Sequence, residues 1–101
     1  MNSRSSVAGG LTMYLLIGLA ISDVIGAVAT APGPYFSQGT DGTSGERIYY
    51  SFTTLTTTGF GDFTAATDVG RSLAVLEMLV GQIYLVVVVA LLVGNVRRRA
   101  A

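Results

Sequence analysis

Six consecutive residues, Thr57, Thr58, Gly59, Phe60, Gly61 and Asp62, hold the chain's clearest chemical signal. They contain no acid–base pair and no nucleophile beside an activating base. What they offer is main-chain oxygen. Gly59 and Gly61, free of a β-carbon, can take positive φ and so alternate with Thr58 and Phe60 in a strand whose carbonyls turn one way while its side chains turn the other. A stack of such carbonyls can replace the water stripped from a cation. The Thr57 hydroxyl supplies a further oxygen at the inner end. One strand is only part of a coordination shell, so several copies must close a ring.

The remaining inventory removes other chemistries. Cysteine and histidine are both absent, which excludes disulfide frameworks, thiol nucleophiles, imidazole bases and the usual zinc ligand sets. No enzyme reading survives that inventory, and no cofactor is expected. The six basic residues are all Arg and are balanced by six acids, so no basic surface for nucleic acid is available. The 101 residues are 50% hydrophobic and only 12% charged, with a positive mean hydropathy, which points to a membrane protein.

The elements that must position the six residues are two apolar spans and a segment between them. Residues 11–31 are apolar and small, broken by Thr12, Ser22, Asp23 and Thr30, and predict an outer helix over about residues 7–31. Pro32, Gly33 and Pro34 end it, residues 32–46 are predicted as an extracellular loop, and within it residues 37–45, rich in Gly, Ser, Thr and Asp, read as exposed. A second span, the inner helix, is predicted over about residues 69–96. Between loop and filter, residues 47–57 are too short to span and too apolar for an ordinary loop, and predict a short re-entrant helix leading into the filter at 57–62. Irregular backbone at membrane depth is tolerated where protein buries it or where it lines a water-filled path, and conduction supplies that path. The C-terminal end of the short helix, partially negative, would point at the cavity below the filter and favour a cation there. Arg4 and the run Arg97, Arg98, Arg99 flank the spans, against Arg47 and Arg71 between them, which predicts that both termini face the cytoplasm. The arginine run also suits anionic lipid. Arg4, the apolar run and then Ala27-Val28-Ala29 or Ala29-Thr30-Ala31 also fit a secretory leader, but the run is long for one, Asp23 interrupts it, and cleavage would leave a lone span.

The stretch from Thr57 to Asp62 resembles the potassium-channel signature Thr-Val-Gly-Tyr-Gly-Asp, with Thr58 in place of Val and Phe60 in place of Tyr. The resemblance extends to the hydroxyl-rich approach before it, to the aromatic pair Tyr49 and Tyr50, and to Gly70, Arg71 and the following span with Gly81 inside, as in bacterial two-transmembrane potassium channels. It implies an all-α membrane protein in which a single pore domain of two transmembrane helices, a re-entrant pore helix and a selectivity filter assembles as a homotetramer. It implies K+ as the permeant ion, held by Thr57, Thr58, Gly59, Phe60 and Gly61, with Tyr50, Thr53 and Asp62 supporting the filter. Location in the cell membrane among lipids, with K+ and identical subunits as partners, follows. The departures matter. Phe60 has no hydroxyl to tie the filter to the pore-helix aromatics and can only pack, and Thr58 sets a hydroxyl behind the filter for Thr53 or a water. Some family members have a pore-helix Glu at the place of Thr53, and that partner for Asp62 is missing; Tyr50 is the expected donor to Asp62.

The inner helix holds further candidates. Gly81 lies where the family has its gating glycine, against the plain alternative of helix packing, which is the expected role of Gly18, Gly26 and Gly94. Gln82 is expected in the cavity beneath the filter, with Leu85, Val89 and Val93 below it on the same helix face. Glu77 is expected behind the pore helix as a hydrogen-bond partner, protonation being one way to carry it there, and Asp23 in a structural role. Two rival functions remain to be separated from a potassium channel: a non-selective cation channel, and a helical hairpin that only packs against other membrane proteins. The few residues after the second span leave no room there for a ligand-binding or voltage-sensing domain.

Overall fold

The computed structural model describes residues 3–100, with side chains from 4 to 98. Three helices follow in order: α1 (Ser3–Val28), α2 (Ser44–Leu55) and α3 (Asp68–Ala100). Within α1 and α3, the stretches Arg4–Val28 and Asp68–Arg98 are long and apolar enough to cross a membrane. At about 1.5 Å per residue each exceeds the hydrocarbon core of roughly 30 Å. Most of their apolar side chains, among them Leu16, Leu19, Val86 and Leu91, are exposed on the single chain. In water that would be a large cost, and in lipid or against neighbouring copies it is none. The molecule is accordingly long and narrow, 57 × 19 × 18 Å.

Each helix touches the other two, and the contacts are made at small residues and aromatics. Tyr14 of α1 and Tyr84 of α3 stack at 5.6 Å, and the Tyr84 hydroxyl donates to the Gly10 carbonyl at 2.7 Å. Higher up, α2 is wedged between the two long helices. A β-carbon on Gly18 would lie 2.5 Å from the Phe52 ring, and one on Gly81 would sit on the Leu55 carbonyl oxygen, so α2 approaches both neighbours only because these positions are glycine. Gly26 packs on the Arg47 guanidinium in the same way, whereas Gly94, expected as a packing residue, has nothing within 4 Å.

The helix ends differ from expectation for local reasons. Helix α1 stops at Val28, short of residue 31, because the chain tightens there: the Thr30 amide donates to the carbonyl of Ala27 and the Ala31 amide to that of Val28, each three residues back. Helix α2 begins at Ser44 and not at 47, because Thr43 and Glu46 form a capping box. The Glu46 amide donates to the Thr43 hydroxyl at 3.1 Å and the Thr43 amide to the Glu46 carboxylate at 2.8 Å. It ends at Leu55 and not at 57, since Thr57 has φ +58° and has left the helix. Helix α3 runs unbroken through Gly81.

The loop between α1 and α2 is polar by composition yet holds the largest part of the core. Tyr35 and Phe36 are buried with Ile25 and Tyr50, and Phe36 meets Tyr35, Tyr50 and Phe63 edge-on at 5.0, 4.9 and 5.2 Å. The two adjacent buried aromatics, Tyr35 and Phe36, lie just before residues 37–45, the stretch expected to be exposed. Their backbone pairs antiparallel with the segment after the filter, through a bridge between Phe36 and Ala65. The Ser37 amide donates to the Thr64 carbonyl at 2.7 Å, and the Ala66 amide to the Tyr35 carbonyl at 2.8 Å.

Candidate functional site: the pore loop

The filter is built by the way α2 comes undone. Beyond Leu55 the Thr56 amide still donates to the Phe52 carbonyl and the Thr57 amide to that of Thr54, both at 3.0 Å. The Thr58 and Gly59 amides then both turn back to one acceptor, the Thr53 carbonyl, at 2.8 and 3.1 Å. The first half of the filter thus hangs from a single oxygen near the end of the pore helix. Its backbone alternates, with φ of +58° at Thr57, +55° at Gly59 and +85° at Gly61, and no positive value at Thr58 or Phe60. That is the geometry in which successive carbonyls can face one side. Sequence reasoning anticipated it at the two glycines and missed it at Thr57. A β-branched residue at positive φ is strained, and strain of this kind collects at working sites.

The side chains around the filter are arranged differently from expectation in two places. Tyr50 does not reach Asp62; it is buried against Phe36, and its carbonyl accepts from the hydroxyls of Thr53 and Thr54 at 2.8 and 2.9 Å. Its neighbour Tyr49, one residue and about 100° round the helix, faces the filter instead. The Asp62 carboxylate, hydrogen-bonded to it, raises the Tyr49 hydroxyl above its ordinary pKa. The Thr58 hydroxyl pairs with that of Thr56 at 2.8 Å and not with Thr53, whose own hydroxyl is folded back along α2. Phe60 packs, as a residue without a hydroxyl must, and its ring stacks on Tyr49 at 6.3 Å and 6°. Asp62 also accepts from the Phe63 amide at 3.1 Å.

Beyond the filter, Gln38 clamps the returning chain: the Thr64 amide donates to its side-chain oxygen at 3.1 Å, and its side-chain nitrogen donates to the Thr64 hydroxyl at 3.3 Å. Together with the Phe36–Ala65 bridge, this braces the outer end of the filter from the loop. Nothing in the spacing of Gln38 and Thr64 announces the clamp; the adjacent aromatics Tyr35 and Phe36, directly after the helix-stopping prolines, were the one available hint. A cavity of about 450 Å³ separates Thr57, Gly59 and Gly61 from Arg71 and Met78 of α3.

Of the inner-helix candidates, Gln82, Leu85, Val89 and Val93 are exposed on the single chain. Gly81 is buried against the Leu55 carbonyl, which also accepts from the Tyr14 hydroxyl at 3.3 Å. Its position supports packing of the pore-helix end, in place of a free hinge. Glu77 is 1% exposed and lies behind α2, with its Oε2 2.7 Å from the Ser51 hydroxyl. Asp23 is exposed and lines a small cleft with Ser44 and Arg47.

A family model described as "Ion channel" matches residues 10–98, nearly the whole chain. "Potassium channel, subfamily K, member 16" of Mus musculus is 34% identical over 89 residues, which are 81% of this chain and 28% of the mouse protein. "Probable potassium channel protein 2" of Methanocaldococcus jannaschii is 53% identical over 34 residues, 34% of this chain and 10% of that protein. The chain thus spans well under a third of either relative's length. No solved structure matches it.

Proposed function

The chain belongs to the ion channel family, and from that premise we propose that it is the pore-forming subunit of a potassium-selective channel, active as a homotetramer. The observation that carries this reading is the alternation of positive φ at Thr57, Gly59 and Gly61 in a strand hung from the end of a short helix. Four such strands around one axis stack rings of carbonyls from Thr57, Thr58, Gly59 and Phe60, with the Thr57 hydroxyls as the innermost ring. Oxygens held at these positions replace the shell of water around K+. The names of both relatives, one a potassium channel and the other a probable one, support the choice of ion.

The same reading gives the other residues their places. The cavity behind Thr57, Gly59 and Gly61 is space that the pore helix of an adjacent subunit fills. Gln82, Leu85, Val89 and Val93, exposed on one chain, line the water-filled cavity below the filter. Arg4, Arg97 and Arg98 hold both ends of the hairpin at the cytoplasmic face of the cell membrane.

The deciding experiment is cation flux from liposomes containing the purified protein, potassium against sodium, with barium as blocker. Barium-blocked potassium flux well above sodium flux is expected. Equal fluxes of the two ions would replace the selective channel by a non-selective one, and no flux from a folded protein would leave only the packing hairpin.

A further inference from the structure

Ser51 and Glu77 form a buried polar contact that ion conduction does not use directly. The Ser51 side chain is 0% exposed and Glu77 is 1% exposed. The Ser51 hydroxyl oxygen lies 2.7 Å from the Gly18 carbonyl of α1 and 2.7 Å from Glu77 Oε2 of α3. Both are hydrogen-bond distances, and each needs a proton. A serine hydroxyl has one, and a carbonyl has none to give. If Ser51 donates to Gly18, the proton in the second contact belongs to Glu77. If Glu77 were ionised, Ser51 would have to donate to it, and the Ser51 and Gly18 oxygens would face each other at 2.7 Å with no hydrogen between them. A buried carboxylate would also need a cation. The titratable groups that face Glu77 are Tyr14 from α1, Tyr35 from the loop and Tyr50 from α2, all phenols, and no cation pairs with it among the described residues.

We propose that Glu77 is held as the neutral acid and that the relay from Glu77 to Ser51 to the Gly18 carbonyl is a proton-dependent latch, making Glu77 a positioning residue for the filter. The latch joins all three helices at one point: Glu77 on α3, Ser51 on α2, Gly18 on α1. Ser51 stands two residues before Thr53, whose carbonyl carries the Thr58 and Gly59 amides. Loss of the Glu77 proton removes one of the two hydrogens, sets a bare charge behind the pore helix and loosens the oxygen from which the filter hangs. Conduction should then fall as pH rises, because the deprotonated form is the one that cannot complete the relay. This inference rests on the channel reading only for its effect on conduction; the protonation itself does not.

The test has two arms, both on the full chain in potassium-containing liposomes. Infrared difference spectra between wild type and Glu77→Gln should show the carbonyl stretch of a protonated carboxylic acid present in the wild type and missing in the variant. Ser51→Ala, which leaves Glu77 in place, should move that band to the position of an acid without its hydrogen-bond acceptor. In flux, wild type should lose activity by about tenfold as rising pH removes the acid band, the scale of one buried hydrogen bond. Glu77→Gln, whose amide can donate to Ser51 at any pH, should keep its barium-blocked flux and lose the pH response. An ionised-carboxylate band in its place, unmoved by Ser51→Ala, would overturn the proposal even if Glu77→Gln fails to assemble. So would a Glu77→Gln channel with the wild-type pH profile. Absence of flux at every pH, with the acid band present, would instead count against the channel reading.

Discussion

On the proposed reading, the residues of the filter act through backbone and not through reactive side chains. At Gly59, φ is +55° and the space around a β-carbon is open within the chain, so the cost of Gly59→Ala is conformational: roughly 1 kcal/mol in each subunit, with the carbonyl turned from its direction. Abolished potassium flux from protein that still assembles is the expected outcome, and wild-type flux would refute the assignment of the filter. Gly81 belongs to a different case. Its φ is ordinary, but a methyl there meets the Leu55 carbonyl, backbone that has no rotamer to escape through. Gly81→Ala should therefore destabilise the fold by about 1–3 kcal/mol per subunit, as overpacking does, and reduce flux with it. Thermal unfolding followed by circular dichroism separates the roles: an unchanged midpoint with altered open probability would return Gly81 to a gating hinge. The alternative of a mild change, natural for a glycine read only as a bend point, does not fit a contact this close.

At the scale of elements, α2 is the part on which the site depends, and its two ends are held by different means. The N-terminal end is secured by the Thr43–Glu46 capping box, with Arg47 donating to the Gly42 and Asp41 carbonyls beside it. The C-terminal end is secured by packing, between Gly18 and Gly81, and its last carbonyls are taken over by the filter amides. Removing the cap should loosen the helix without touching the ion sites. Thr43→Ala is expected to cost about 1 kcal/mol per subunit, lowering the melting temperature of the assembly while the potassium-to-sodium flux ratio stays the same. A changed ratio would mean that cap and filter are coupled more tightly than their separation along α2 suggests. The loop that carries Tyr35, Phe36 and Gln38 is the second support. Burial pushes the Tyr35 hydroxyl up to about 12, with smaller contributions from Tyr50 and Glu77, so this aromatic brace stays neutral across the physiological range.

For the whole molecule, the narrow shape and the apolar faces left bare on α1 and α3 require lipid or further copies of the chain to cover them. If ions bind only where four filters meet, potassium binds the assembly and not its parts. A ligand at a hundred times its dissociation constant then adds about 2.7 kcal/mol to the assembled state. In detergent, light scattering should report a four-subunit particle whose dissociation temperature is higher in potassium chloride than in sodium chloride at equal ionic strength. General screening acts alike in both salts, so a difference reports site binding. A dimer indifferent to the cation would contradict the ring, since two filters cannot surround an ion.

The sequence by itself determined the plan: two apolar spans, a hydroxyl-rich segment too short to cross, and a Gly-x-Gly strand after it. These are local properties, set by composition, by prolines at 32 and 34, and by the conformational freedom of glycine. Glu77 behind the pore helix was legible for the same kind of reason, since a carboxyl within an apolar span has few other places to go. What the tertiary structure alone decided are relations between residues far apart in the chain or on opposite sides of one helix turn. Tyr49 and Tyr50 are adjacent and chemically identical, and only the direction in which α2 lies against Phe36 determines which faces Asp62. The Gln38–Thr64 clamp joins residues 26 positions apart, and the Ser51–Gly18 contact joins residues 33 apart. The left-handed conformation of Thr57 was likewise hidden, because its own side chain argues against it. It goes with the hydrogen bonds from the two amides that follow to the Thr53 carbonyl.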